Sequence, residues 1–229
     1  MTTLLHLSDP HLDGSPERAD RLRAVLDLLP PSRRPDAIVV TGDVADTGAG
    51  HEYAQFQAVM EGREPWLAVP GNHDSPALLA APAFLDVGDL RILGLDVTVE
   101  GEDHGELRDE VADRAASLAA EAGRTVLAFH QPPVRIGHTY VDPMRLLNAE
   151  VLATLVERIG NVEAILCGHV HTPSASSFAG VPVLIAPGIV SALRLDPDQS
   201  PLTDQVHAPG MALHRFEHGV VTTTFHYAG

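Results

Sequence analysis

Five short apolar runs in the sequence are each followed by polar residues of the types that bind metal ions or transfer protons. The side chains concerned are aspartate, histidine and asparagine, and no cysteine is among them. Because carboxylate and imidazole groups together suit manganese, iron or zinc better than calcium or magnesium, they predict a transition-metal site. The five blocks are Ser8-Asp9-Pro10-His11, Gly42-Asp43-Val44-Ala45-Asp46, Gly71-Asn72-His73-Asp74, His130 and Gly168-His169-Val170-His171.

The number of candidate ligands indicates two metal ions. Seven are too many for one tetrahedral ion, and they suit a pair of ions about 3.5–4 Å apart that share a carboxylate. A water molecule between two such ions loses its proton readily, so such a pair would supply a hydroxide nucleophile for hydrolysis. Any one of these residues alone would more often be a helix cap or a solvated loop residue. The seven candidates are Asp9, His11, Asp43, Asn72, His130, His169 and His171.

The apolar runs that precede these blocks are predicted to be buried strands. In open α/β sheets, sites form just outside the carboxyl ends of the strands, so five such ends would bring their polar residues into one cluster. The strands are predicted at Leu4–Leu7, Ala37–Thr41, Trp66–Val69, Thr125–Phe129 and Ala164–Cys167.

Helical segments separate most of these strands, and strands alone dominate the last third of the chain. Ser15 and Asn148 are predicted helix caps, and residues 194–210 are predicted to be a polar loop. With no internal repeat and no boundary signal, we expect a single domain, 1–229, of mixed sheets covered by helices. Further helices are predicted at Gly50–Glu61 and Arg108–Ala122, and further strands at Leu90–Leu95, Val181–Ala186, Met211–Phe216 and Val220–Phe225.

The composition of the chain limits the classes of molecule that it could bind. The 229 residues carry a formal net charge of −16, which disfavours both nucleic acid and anionic membranes. A local cluster of cations would let so acidic a protein attract an anionic substrate. Neither a signal peptide nor an apolar run of about 20 residues is present, which favours a cytoplasmic location. The single cysteine, Cys167, is predicted to be a buried strand residue. The oligomeric state stays open, with a homodimer as one option.

Taken together, these five blocks resemble those of the calcineurin-like metallophosphoesterases in type and order. The segment from His130 to His171 is most similar to bacterial class III cyclic-nucleotide phosphodiesterases. The resemblance implies a four-layer α/β/β/α sandwich with two mixed sheets. It also implies Fe/Mn, Mn/Mn or Zn ions, with Asp9, His11 and His171 on the first, Asn72, His130 and His169 on the second, and Asp43 bridging them. His73 would sit beside the scissile phosphate, so the implied catalytic residues are His73, Asn72 and Asp43.

The expected activity is hydrolysis of a small phosphodiester, with 3′,5′-cyclic nucleotides as the first candidate substrates. Glycerophosphodiesters, 2′,3′-cyclic nucleotides and phosphomonoesters stay open, because the motifs build the metal site and not the pocket. A non-catalytic scaffold of the same fold is the alternative from another class, and the complete ligand set argues against it.

Several residues near these blocks have open roles at this stage. Asp46 and Asp74 are candidates for orienting a ligand histidine or for pinning a turn. His138 is a candidate for lining the substrate pocket from the 132–142 loop. His214 is expected on the surface, because it lies in one of the terminal strands, and His6 is expected to be structural.

Overall fold

The structure of the protein is a computed structural model that describes residues 1–63, 65–194, 196, 198 and 200–229. Four α-helices occur in this part of the chain: α1 Pro16–Leu26, α2 Gly50–Met60, α3 Asp109–Ala119 and α4 Ala149–Ile159. The strands are β1 Thr2–Leu7, β2 Ala37–Thr41, β3 Trp66–Val69, β4 Phe84–Val87, β5 Leu90–Gly94, β6 Arg124–Ala128, β7 Val162–Cys167, β8 Ser174–Phe178, β9 Val181–Ile185, β10 Ala192–Leu193, β11 Thr203–Asp204, β12 Gly210–Glu217 and β13 Val220–Tyr227.

Two mixed sheets form the centre of the molecule. The first has the strand order β13-β12-β1-β2-β3, and the second has the order β4-β5-β6-β7-β9-β8. Strands β1, β2 and β3 are parallel to one another, as are β5, β6, β7 and β9. The outer strands β4, β8 and the hairpin β12–β13 pair antiparallel with their neighbours. The mixed sheets predicted from the sequence are therefore confirmed.

Three apolar cores define four layers. One core fills the space between the sheets and includes Leu4 of β1 and Leu166 of β7. A second joins the first sheet to α1 and α2 through residues such as Leu22 and Phe56. A third joins the second sheet to α3 and α4. The order of layers is thus helix, sheet, sheet, helix, which is the predicted α/β/β/α sandwich.

The predicted helix caps differ in how they are used. Ser15 accepts a hydrogen bond from the Arg18 amide at the start of α1, as the sequence indicates. Asn148 occupies the cap position of α4 but makes no capping bond. Its side chain instead accepts from the Leu107 amide and donates to the Leu107 carbonyl, at 2.8 and 2.9 Å. The amide group satisfies both main-chain groups of a neighbouring segment, so that contact replaces the cap.

Three features of the structure were predicted wrongly or missed: two outer strands, a short strand in a predicted loop, and the burial of His214. Strands β4 and β8 were missed because they are outer strands with few buried apolar residues. The segment predicted as a polar loop contains β11, which pairs with β10. His214 is fully buried rather than on the surface. It lies on β12, and β13 covers that strand on its outer side.

In the part of the chain that the structure describes, no helix is both long and apolar enough to cross a bilayer.

Candidate metal centre

The carboxyl ends of the parallel strands of both sheets meet at one place and bring the predicted ligands together. The loops after β1, β2 and β7 contribute Asp9, His11, Asp43 and His171, whose donor atoms all lie within 4.8 Å of one another. The Nε2 atoms of His11 and His171 are 3.3 Å apart. His171 Nε2 lies 3.4 Å from Asp9 Oδ1. We call Asp9, His11 and His171 the first donor group.

The second donor group consists of Asn72, His130 and His169. Asn72 Oδ1 lies 3.1 Å from His169 Nδ1, and that nitrogen lies 3.3 Å from His130 Nε2. These side chains come from the loops after β3, β6 and β7. Residues 97 positions apart in the chain are therefore in direct contact.

Asp43 lies between the two groups. Its Oδ2 atom is 3.4 Å from His11 Nε2 in the first group and 3.3 Å from His130 Nε2 in the second. Its other oxygen, Oδ1, accepts a hydrogen bond from the His73 amide at 2.9 Å. This leaves Oδ2 as the oxygen common to both groups, the position at which a bridging carboxylate would be placed.

Most of the predicted ligands have an unusual backbone conformation. A positive φ is uncommon for residues other than glycine and costs about 1–3 kcal/mol at each position. Such strain persists only where the surrounding structure enforces it, and it concentrates at functional sites. The φ angles are 54° for Asp9, 44° for His11, 49° for Asp43, 72° for His169 and 52° for His171.

Two glycines of the predicted motifs allow the loops to pack this tightly. Gly42 has a φ of 87°, and a Cβ added there would lie 2.4 Å from the His130 ring. A Cβ on Gly71 would lie 2.2 Å from Asp43 Oδ1. Any side chain at either position would displace a predicted ligand, so the donor cluster requires glycine there.

Hydrogen bonds on the outer side of three histidines fix which ring nitrogen faces the cluster. His130 Nδ1 donates to the Thr41 carbonyl at 2.6 Å. His11 Nδ1 donates to Asp46 Oδ1 at 3.2 Å, and His171 Nδ1 contacts Ser191 Oγ at 2.8 Å. With Nδ1 bonded to its outer partner, Nε2 of His11 and His130 is the nitrogen that faces the cluster.

The facing nitrogens show that the donor set fits metal cations. Nε2 of both rings faces the same carboxylate oxygen of Asp43, and these atoms stay this close only with positive charge between them, supplied by a proton or by a metal ion that replaces it. Ring nitrogens oriented by outer carboxylate or carbonyl groups are the usual arrangement of metal-binding histidines. His169 turns Nδ1 towards a separate place in the cluster, 3.1 Å from Asn72 Oδ1 and 3.3 Å from His130 Nε2. The cluster therefore suits more than one cation.

The pKa values of the cluster reflect burial and mutual charge. Burial disfavours a charged His130, but the adjacent Asp43 carboxylate outweighs this and raises the pKa of His130 to about 9. Burial tends to raise the pKa of Asp43, yet His130 holds it well below its ordinary value. Burial, together with His130, lowers the pKa of His169 to about 3. The Asp43 carboxylate therefore stabilises positive charge beside it. Burial keeps His169 neutral, which is the form that binds a metal ion.

His73 stands at the edge of the cluster and is exposed. Its Nδ1 donates to the Asp46 carbonyl at 2.7 Å, and its ring packs edge-on against His11 with centroids 4.6 Å apart. Its Nε2 atom is therefore the one available for an external ligand.

The structure shows different contacts for Asp46 and Asp74, whose roles the sequence left open. Asp46 contacts His11 and forms an ion pair with Arg18 at 2.7 Å, so it orients a predicted ligand. The hydrogen bond from His11, the largest influence, lowers the pKa of Asp46. Asp74 accepts from three main-chain amides and from the Tyr53 hydroxyl, so it pins the loops.

A cleft of about 230 Å³ opens over the cluster. His138 is not part of its lining; the ring is buried beneath the loop, where Nδ1 accepts from the Tyr140 amide. The 132–142 loop instead contributes Tyr140, which is 55% exposed. Much of the remaining lining is apolar: Val141, Met144, Val170, Leu193 and Leu202.

Sequence reasoning missed four residues that support the cluster. Ser191 and Thr41 hold His171 and His130, and Asp103 accepts from the Asn72 side chain at 3.3 Å. Tyr140 lines the cleft. Thr41 ends a predicted strand next to a motif, which was a usable signal, whereas nothing in the sequence marks Ser191, Asp103 or Tyr140.

A family model described as calcineurin-like phosphoesterase matches residues 2–173, which include all five blocks. The chain belongs to the calcineurin-like phosphoesterase family. The family resemblance drawn from the motifs is therefore confirmed, and the chain is a metal-dependent phosphoesterase.

Known relatives in the family differ in their substrates. The chain is 37% identical to a cAMP/cGMP dual specificity phosphodiesterase of Mycobacterium tuberculosis, over 80% of this chain and 66% of that protein. It is 28% identical to a glycerophosphodiester phosphodiesterase of Enterobacter lignolyticus, over 99% of this chain and 92% of that one. The chain thus spans about two thirds of the first relative and nearly all of the second.

A solved structure supports the fold independently of sequence. A dimetal phosphatase from Danio rerio superposes with a TM-score of 0.71, at 13% identity, over 100% of this chain and 99% of that one. At this identity the comparison concerns the fold, and it agrees with the four layers described above.

Proposed function

We propose that this chain is a two-metal phosphodiesterase whose substrates are 3′,5′-cyclic nucleotides. The observation that carries the two-metal proposal is the position of Asp43 Oδ2, at 3.4 and 3.3 Å from histidines of two separate donor groups. In this proposal the first donor group holds one ion, the second holds another, and Asp43 is shared. Two divalent cations there would neutralise the phosphodiester charge and lower the pKa of a nearby water molecule.

The chain's own residues have distinct roles in this proposal. Asp43 Oδ1 is occupied by the His73 amide, which fixes the carboxylate so that Oδ2 faces both groups. The Asn72 amide nitrogen donates to Asp103, which directs its oxygen towards His169. His73 would donate a proton from Nε2 to the leaving oxygen, with the Asp46 carbonyl holding its ring. We therefore keep His73, Asn72 and Asp43 as the catalytic residues.

The lining of the cleft supports a nucleotide over a smaller phosphodiester. A glycerol-based substrate offers no flat apolar surface, whereas a nucleobase does. The exposed ring of Tyr140 beside an apolar lining suits such a surface, and stacking of a base on an aromatic ring contributes about 1–3 kcal/mol. The Mycobacterium tuberculosis relative supports the same choice, while the Enterobacter lignolyticus relative keeps glycerophosphodiesters as the second candidate.

The test is a hydrolysis panel with Mn²⁺ that compares cyclic AMP, cyclic GMP, a 2′,3′-cyclic nucleotide, glycerophosphoethanolamine and p-nitrophenyl phosphate. We expect the highest kcat/KM for a 3′,5′-cyclic nucleotide. Tyr140→Ala should raise KM for cyclic AMP about tenfold and leave glycerophosphoethanolamine hydrolysis unchanged, with Tyr140→Phe as the matched control. Higher kcat/KM for glycerophosphoethanolamine than for either cyclic nucleotide would replace the substrate proposal with the second candidate.

The remaining features belong to the same proposal. Residues 1–229 act as one domain, the ions are an Fe/Mn, Mn/Mn or Zn pair, and the enzyme works in the cytoplasm on a small diffusible substrate. The oligomeric state stays open, with a homodimer as one option. Metal analysis of the purified protein and light scattering test the ions and the assembly separately.

A further inference from the structure

Thr41, the last residue of β2, connects the proposed metal centre to the protein core. Its carbonyl accepts hydrogen bonds from His130 Nδ1 at 2.6 Å and from Ser8 Oγ at 3.0 Å. All three residues are fully buried. The orientation of the His130 ring therefore depends on where the Thr41 carbonyl is held.

The Thr41 hydroxyl continues these contacts away from the metal centre. It lies 2.8 Å from His6 Nε2 and 3.0 Å from Ser8 Oγ. His6 Nδ1 lies 3.0 Å from His214 Nε2, and His214 Nδ1 lies 2.9 Å from Thr223 Oγ1. A continuous line of hydrogen bonds thus crosses the first sheet from β13 through β12 and β1 to β2.

One set of donors and acceptors satisfies every member of this line. Because the Ser8 hydroxyl donates to the Thr41 carbonyl, the Thr41 hydroxyl donates to Ser8 and must itself accept from His6 Nε2–H. His6 Nδ1 then accepts from His214 Nε2–H. All the bonds run in the same direction, from Thr223 to the carbonyl that holds His130, and bonds aligned in this way strengthen one another.

Burying two histidines at these positions costs free energy unless every ring nitrogen finds a hydrogen-bond partner. Both rings are fully buried, and a leucine would pack there without a polar atom to satisfy. Burial lowers the pKa of both rings, in His214 to about 3, so both are neutral. Neutral rings can each donate from one nitrogen and accept at the other, as this line of bonds requires. What the histidines supply is directed hydrogen bonding onto Thr41.

We propose that His6 and His214 are positioning residues that act through Thr41 to hold His130 for metal binding. The inference rests on the proposed metal centre. It adds three successive residues behind His130, namely Thr41, His6 and His214, each linked to the next by a hydrogen bond. Partners one layer behind a metal ligand typically change metal affinity by about 10- to 100-fold. For residues further back we expect the lower end of that range.

The first test removes the Thr41 hydroxyl and keeps its carbonyl. Thr41→Val should weaken binding of one of two Mn²⁺ ions about tenfold in calorimetric titration, and Thr41→Ser should restore it. The matched control is Thr125→Val, because Thr125 is a fully buried strand residue that donates one hydrogen bond to Asn161, on the second sheet and apart from the cluster. Unchanged Mn²⁺ binding in Thr41→Val, or an equal loss in Thr125→Val, would overturn the inference.

The second test addresses the histidines. His6→Leu should weaken the same Mn²⁺ ion about tenfold, whereas His6→Gln, whose amide can donate to Thr41, should recover most of the affinity. Nitrogen NMR of the metal-free wild type should find both rings neutral with the proton on Nε2, and this reading does not depend on any variant folding. A proton on Nδ1 of His6 would contradict the line of bonds. Wild-type protein that binds no Mn²⁺ would refute the proposed function, whereas normal binding in every variant would refute only this inference.

Discussion

The two donor groups around Asp43 are held in place by different parts of the molecule. In the first group, side chains hold the histidines: Asp46 contacts His11, and the Asp46 side chain is 32% exposed. In the second group, the main-chain carbonyl of Thr41 holds His130, and both are fully buried. A single surface substitution can therefore loosen the first group. In the second, His130 is tied to the core of the first sheet through Thr41, whereas Asn72 is held by the exposed side chain of Asp103.

The largest expected effect comes from removing the carboxylate that the two groups share. Asp43→Ala should lower kcat/KM by about 10⁴-fold or more, because loss of both ions removes most of the electrostatic stabilisation. Metal analysis should find both ions depleted together. Asp36→Ala is the matched control, since the Asp36 side chain accepts from the Thr3 amide ahead of β2, away from both donor groups. Retention of one ion at full affinity in Asp43→Ala would show that the groups are independent.

A smaller loss is expected when the cluster is left intact and only proton transfer is removed. His73→Ala should reduce kcat about 10²- to 10³-fold, as expected for a positioned acid. Metal content should stay near normal because His73 contacts the cluster without belonging to either group. His218→Ala, in the exposed β12–β13 turn, serves as the control. Equal depletion of both ions in His73→Ala would assign it to the metal site instead.

The difference between the groups can be tested by loosening only the first. Asp46→Ala should weaken one Mn²⁺ ion by about 10- to 100-fold, because His11 loses its orienting carboxylate, and leave the other unchanged. Asp13→Ala is a close control, because Asp13 also pairs with Arg18, at 3.2 Å, and is not among the residues bonded to His11. If both ions weakened equally in Asp46→Ala, the two groups would share one support and the comparison would fail.

The core behind the second group has a consequence for stability. Burial lowers the pKa of His214 to about 3, below the 6.5 of an unfolded histidine, so below pH 6.5 only the unfolded state takes up this proton. The contribution of the neutral His214 ring to the free energy of unfolding is therefore complete above pH 6.5. It is lost as the pH falls towards 3. Between pH 7 and pH 5, metal-free wild type should lose about 2 kcal/mol more than His214→Leu. Urea denaturation at the two pH values measures this. Parallel losses would mean that His214 is protonated in the folded protein.

The strands and the motifs after them were readable from the sequence. Apolar runs of four or five residues followed by polar residues identified β1, β2, β3, β6 and β7 because each is buried on both faces. Strands β4 and β8 bury few side chains and were missed, since an outer strand needs little buried surface. His214 was misplaced for a related reason, because the partners of its ring, His6 and Thr223, lie on other strands of the sheet.

The supports of the site were harder to read. Asp46 was a candidate from its position in a motif, and its contact with His11 decided between two open roles. Ser191 and Asp103 lie in segments with no recognisable pattern. His138 was proposed for the pocket, but the loop turns its ring inward and presents Tyr140 instead.

By itself, the sequence determined which residue types could bind metals, the order in which they occur and the strands that end beside them. These properties are local, because hydrophobic runs and motif spacing depend on neighbours in the chain. Only the tertiary structure decided that Asp43 Oδ2 lies between two donor groups, that Thr41 holds His130, and that Tyr140 lines the cleft. The contacts of Asp43 and Thr41 join residues that are 32 to 89 positions apart, and their distances are set by the packing of two sheets against each other.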